Sequence, residues 1–98
     1  MAKVKNLINY NGNPAANQFV ITTDKGVFFQ SYNSVIAFLD YATKKLKVTP
    51  LWDYSNTTRK HFYIFLDEYA NIYCHKKEFL NMIKTGQVEV VKDGSLNF

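Results

Sequence analysis

His61, Cys74 and His75 are the only imidazole and thiol groups in the chain. Zinc takes these donor types in tetrahedral sites, with a carboxylate or water completing the set. Glu68 follows His61 by seven positions, on the same face of a helix, and Asp67 adjoins it. The spacing matches no zinc-finger pattern. Cys74 and His75 are sequence neighbours, so they share one ion only from a turn or a helix start. The competing reading is a small buried thiol and two surface or capping imidazoles. No cofactor is expected on this basis, zinc being the one metal the set would take.

A second group is cationic and aromatic. Lys44, Lys45, Lys47, Arg59, Lys60, Lys76, Lys77 and Lys84 alternate with Tyr41, Tyr54, Tyr63 and Tyr73. Lysines neutralise phosphates and tyrosines stack bases, so the group describes a nucleic-acid surface. It equally describes a solvated Lys face above a Tyr-rich core, and no RRM, KH or helix-turn-helix signature accompanies it. Asp53, Asp67, Glu68 and Glu78 lack a nucleophile and orienter at recognisable spacing. The four glycines are isolated, so no phosphate loop is present. Catalysis is therefore not expected. Aromatic residues make 16% of the chain, more than so small a core buries whole, and Tyr serves half-buried interface positions. The docking set expected for a partner protein is Arg59, Lys60, Lys44, Lys45, Tyr54 and Tyr41.

The 98 residues form one domain, 1–98. A chain of this size buries roughly 60–65% of its unfolded surface, enough for one core. The net charge of +4 favours acidic partners. It is carried almost wholly by Lys, which attracts without the bidentate geometry of Arg. Apolar runs reach about five residues, far short of the roughly 20 that span a bilayer. Met1–Asn6 has no signal-peptide core, and a lone Cys forms no internal disulfide. A cytoplasmic protein with no membrane association is expected. The wealth of Lys, Asn, Tyr and Phe points to an AT-rich coding sequence.

The elements that must position these groups read as follows. Lys3–Tyr10 alternates loosely, as a strand does, and Asn11–Pro14 is a turn, with Ala15–Asn17 continuing it. Gln18–Thr23 and Val27–Tyr32 are strands joined at Asp24-Lys25-Gly26, where Gly26 supplies a positive φ. Val35–Leu39 and Leu46–Thr49 read as a hairpin, although Val35, Phe38, Leu39 and Ala42 also fit one helical face. Trp52 and Tyr54 plug the core edge. Ser55–Thr58 offers several N-caps, without a capping box. The helix that follows carries the stripe Phe62, Phe65, Leu66, Tyr69. Asn71–Tyr73 is a short connection or strand. Lys76–Thr85 is a second helix, with Phe79, Leu80, Met82 and Ile83 inward and Gly86 at its C′ position. Gln87–Val91 is a last strand, Asp93-Gly94 a turn and Ser95–Phe98 a tail. The sum is an α+β fold: an antiparallel sheet of about four or five strands with two helices on one face.

Two segments carry a resemblance. Ser31-Tyr32-Asn33-Ser34, within Phe29–Ala37, and Trp52-Asp53-Tyr54-Ser55-Asn56-Thr57-Thr58-Arg59-Lys60, leading to Phe65-Leu66, resemble a family of small uncharacterised phage and mobile-element proteins. The resemblance covers roughly residues 18 to 66 and implies a phage or prophage origin in a low-GC host. It transfers no catalytic residue. Small phage proteins of this type often inhibit host defence, as anti-CRISPR proteins do. The resemblance thus implies a non-enzymatic phage protein that binds and inhibits a host protein such as a CRISPR nuclease. The alternative is a small nucleic-acid-binding accessory protein.

Overall fold

The computed structural model describes residues 3–92; the turn and tail expected at 93–98 lie outside them. A six-stranded sheet runs in the order β1 to β6: β1 Lys3–Ile8, β2 Pro14–Thr22, β3 Gly26–Ser31, β4 Ser34–Asp40, β5 Leu46–Val48 and β6 Val88–Val90. The fold is α+β, with one more strand than the expected upper count. The first five strands pair antiparallel. β6 pairs parallel to β5, so the sheet is mixed and not wholly antiparallel. The cause is the connection: two helices, α1 Asn56–Tyr69 and α2 Lys76–Lys84, lie between those strands. A crossover of that length can return the chain to the same end, as a tight turn cannot.

One face of the sheet holds the core. Val20, Phe29, Ala37 and Val48 sit side by side in register across β2 to β5, all fully buried. Phe62, Phe65 and Leu66 from α1 descend onto them, as does Phe79 from α2. Phe29 stacks on Phe65 at 5.5 Å between centroids, and Phe79 meets Trp52 edge-on at 4.7 Å. Each such Phe contributes about 1.5–3 kcal/mol by leaving water. Ile64, beside that stripe, is also buried. Leu80 is not inward: it is 47% exposed, and Met82 and Ile83 are half-buried. On so short a helix Phe79 is the one fully buried residue, with Met82 and Ile83 packed against the core beside it. Among the described residues, no helix is long and apolar enough to cross a membrane.

Three local outcomes differ from, or decide between, the sequence readings. β2 begins at Pro14, because Ile8 of β1 pairs with that residue and Pro is tolerated as the first residue of a strand. Residues 34–48 form the hairpin and not the helix. Gly26 has no positive φ. It is small because a Cβ there would lie 2.2 Å from the Leu39 carbonyl oxygen and 2.4 Å from the Phe38 ring. Phe38 stacks on Phe28 at 4.3 Å on that face of the sheet, away from the helices.

Candidate functional site

The two sequence segments meet in space. Ser31 pairs with Ser34 at the end of the β3–β4 ladder, leaving Tyr32-Asn33 as a two-residue turn. Two-residue hairpin turns place their first central residue at positive φ, where Gly or Asn is usual. Here that residue is Tyr32, at φ 54°. Its N–H donates to the Asn17 carbonyl at 2.7 Å, and the Gln30 amide donates to its carbonyl at 2.8 Å. The turn is thereby locked from β2 and β3, and the Tyr32 ring is left 54% exposed.

The other wall comes from the start of α1. Thr49 caps a 3-10 turn, Pro50–Asp53, by accepting from the Leu51 N–H. Trp52 drops into the core, 6% exposed. Tyr54 does not plug the core edge: it is 77% exposed, since the 3-10 geometry sends it to the opposite side. Ser55 is the N-cap of α1, its Oγ accepting from the Thr58 N–H at 3.1 Å. Ser55 also donates to Thr58 Oγ1 at 3.2 Å, and Thr58 Oγ1 lies 3.2 Å from Ser31 Oγ. This hydroxyl chain fastens the base of the β3–β4 turn to the first turn of α1.

Between the walls is a cleft of about 410 Å³. Ile36 and Leu51 are its apolar residues, and Tyr32, Asn33, Ser34 and Tyr54 supply its polar groups beside the hydroxyl chain. Among the described residues, no carboxylate, imidazole, thiol, amine or guanidinium lines it. None of them therefore offers a base to activate its hydroxyls, and the buried ones, Ser31 and Thr58, already bond one another.

The expected docking residues do not converge. Tyr54 borders the cleft. Lys60 is exposed on α1. Arg59 is engaged: its guanidinium pairs with Asp53 and donates to Asn56 Oδ1 at 2.6 Å. Lys76 reaches the same Asp53 carboxylate at 2.9 Å. Asp53 thus ties the 3-10 turn to both helices, and hydrogen bonds from Lys76 and then Arg59 hold its carboxyl below the ordinary value of 3.8. Tyr41, Lys44 and Lys45 are exposed in the β4–β5 turn. The seven residues of β4 separate that turn from the cleft, about 20 Å at the usual rise. Tyr41 there borders a different groove, of about 560 Å³, with Phe38, Asp24 and Asp40.

The expected metal ligands are placed as follows. His61 Nδ1 lies 2.8 Å from the Thr57 carbonyl of its own helix. His75 is the N-cap of α2, and its N–H donates to Glu78 Oε2 at 3.1 Å. Cys74 is half-buried, its thiol pushed up by burial and then by Glu78. Among the described residues, no three His, Cys, Asp or Glu side chains gather to hold a metal ion.

Sequence reasoning did not single out Tyr32, Asn33, Ser34, Ile36 and Leu51 as site residues. One signal pointed to them: a bulky Tyr where a two-residue turn wants Gly or Asn.

The chain belongs to a family of unknown function (DUF8033), whose model matches residues 2–82. That range takes in the whole cleft. No curated protein and no solved structure matches the chain.

Proposed function

We propose that this member of the family is a non-enzymatic binding protein that docks a partner protein on the cleft between the β3–β4 turn and the start of α1. The observation that carries the reading is the pair Tyr32 and Tyr54, 54% and 77% exposed, on the two walls of one cleft. Tyr is enriched where few residues supply most of an interface's energy, and such residues cluster around pockets. A Tyr at positive φ is a cost to the fold, so its ring is explained by a use outside the fold. The uncharged lining supports binding over catalysis.

The partner class rests on the resemblance to small phage proteins: a host-defence protein, with a CRISPR nuclease as the favoured target, met in the host cytoplasm. The net charge of +4 suits a partner surface that is acidic or that normally faces nucleic acid. The test is a pull-down from lysate of a low-GC bacterium, with and without nuclease treatment. A cleavage assay on purified CRISPR nucleases runs in parallel. Retention of a protein after nuclease treatment, lost in Tyr54→Ala, together with blocked cleavage, is the expected result. Retention lost with nuclease treatment reassigns the protein to the nucleic-acid accessory class.

A further inference from the structure

We propose that the cleft seats one uncharged aromatic side chain, a Tyr or a Trp, of the partner protein. This rests on the docking reading above and names the occupant of the same site. The volume of about 410 Å³ falls in the range of roughly 300–1,000 Å³ typical of ligand pockets, and it accommodates a single large side chain with its immediate backbone. Among the described residues, no charged group lines the cleft. An ion entering it would shed water and meet no counter-charge, which is costly. Arg59, which follows the lining residue Thr58 on α1, is turned to Asp53 and Asn56 and is not among the lining residues. The hydroxyls of Ser55, Thr58 and Ser31 bond one another, which occupies two of their three O–H donors.

What the cleft does present is mixed. Leu51 offers apolar surface above the buried Ile36, the rings of Tyr32 and Tyr54 offer faces and edges, and Asn33 offers an amide with both donor and acceptor. An aromatic body with a polar tip matches that combination, because the ring packs against ring and aliphatic surface while the hydroxyl or indole N–H meets the amide. A purely aliphatic side chain would leave the polar rim unmatched. Energetic anchors in interfaces also tend to pair with anchors on the partner.

The experiment is a heteronuclear NMR titration of the full chain with four probes: p-cresol and 3-methylindole as side-chain analogues, acetate as a carboxylate, and adenosine as a nucleobase source. The expected result is a saturable shift of the amides of residues 31–36 and 51–58 by p-cresol or 3-methylindole. Tyr54→Ala, which removes an exposed ring, weakens it at least tenfold while leaving the spectrum elsewhere unchanged. No saturable shift from either aromatic overturns the proposal. So does acetate binding as well as the aromatics, which would assign the site to the α1 N-terminus, or adenosine binding more tightly, which would make it a nucleobase site. If the pull-down depends on Tyr32 and Tyr54 while neither aromatic probe binds, the docking reading stands and the assigned occupant falls. If the pull-down is also indifferent to both tyrosines, the docking reading falls with it.

Discussion

Tyr32→Gly separates fold from function, because the two respond in different ways. A non-glycine residue in the left-handed region costs about 1–2 kcal/mol, and Tyr32 sits there at φ 54°. Glycine removes that cost but adds unfolded-state entropy worth about 0.5–1 kcal/mol. The ring is 54% exposed, so its partial contacts account for on the order of 1 kcal/mol more. The backbone bond from its N–H to Asn17 survives the change. These opposing amounts nearly cancel. Folding stability by urea titration is expected to stay within about 1 kcal/mol of wild type, and Tm within about 4–8 °C for a domain of this size. Partner binding behaves otherwise. Loss of an anchor costs about 2 kcal/mol or more, roughly a 30-fold weaker Kd, read by titration of the captured partner. A stability loss above about 2 kcal/mol would show that the ring belongs to the core and refute the reasoning. Unchanged affinity in a stable variant would remove Tyr32 from the docking surface.

Other perturbations test the frame around the cleft. Gln18 is fully buried and neither atom of its amide has a hydrogen-bond partner among the described residues; Gln18→Met, of similar shape, is expected to raise stability by roughly 1–3 kcal/mol in urea titration. Asp53 has a folded pKa depressed by Lys76 and Arg59, so its contribution is present above pH 3.8 and fades as pH falls through the folded value. Asp53→Asn should therefore lower stability at pH 7 by on the order of 1 kcal/mol for these partly exposed pairs and flatten the acid limb of a stability–pH curve. The Tyr63 hydroxyl is buried without a hydrogen-bond partner among the described residues, and burial, then Cys74, pushes its pKa up to about 12. Its contribution is intact below pH 10 and lost as pH rises towards 12, so Tyr63→Phe should remove that alkaline loss in melts between pH 9 and 12.

Legibility in the sequence followed the range of each interaction. Strands β2 and β3 were readable because β-branched and aromatic residues crowd Gln18–Thr22 and Val27–Ser31, a purely local signal. Ser55 was readable as one N-cap candidate among several. Only its bond to the Thr58 N–H selects it. The parallel pairing of β6 was not readable, since three residues, Val88–Val90, carry no mark of strand direction. Leu80 reads as inward on spacing alone, yet the face of this nine-residue helix that meets the core is taken by Phe79, Met82 and Ile83, and Leu80 falls outside it. Arg59 reads as free for a partner in the sequence because its acceptor, Asp53, ends a 3-10 turn that no pattern announces. Over 35–45 the β-branched start tips the local pattern only slightly towards the hairpin over the helix; the pairing of Leu39 with Leu46 decides for the hairpin.

That decision also creates the site. β4 runs away from the Tyr32-Asn33 turn and β5 runs back towards it. The chain therefore leaves β5 beside the start of β4, where the Thr49 N–H donates to the Ile36 carbonyl at 2.8 Å and its hydroxyl to the Val35 carbonyl at 3.4 Å. Pro50 then begins the 3-10 turn, and Leu51, Tyr54 and Ser55 fall next to Ser34. A helix over 35–45 would end the chain at the opposite end from its start, and the two segments would not meet. The Ser31–Thr58 contact, 27 residues apart in sequence, thus follows from an even number of strand reversals. Lengthening the β4–β5 turn should leave the cleft intact, because the turn lies at the far end of β4. Extending β5 by a single residue should not, because it turns Val48 and Thr49 to the opposite faces and so shifts the start of the Pro50–Asp53 turn that carries the second wall. A two-glycine insertion after Thr43 and a one-residue insertion after Lys47 make the comparison. The first is expected to keep the aromatic-probe shifts at residues 31–36 and the second to abolish them; loss in both would show that the walls are held by something other than the hairpin's return.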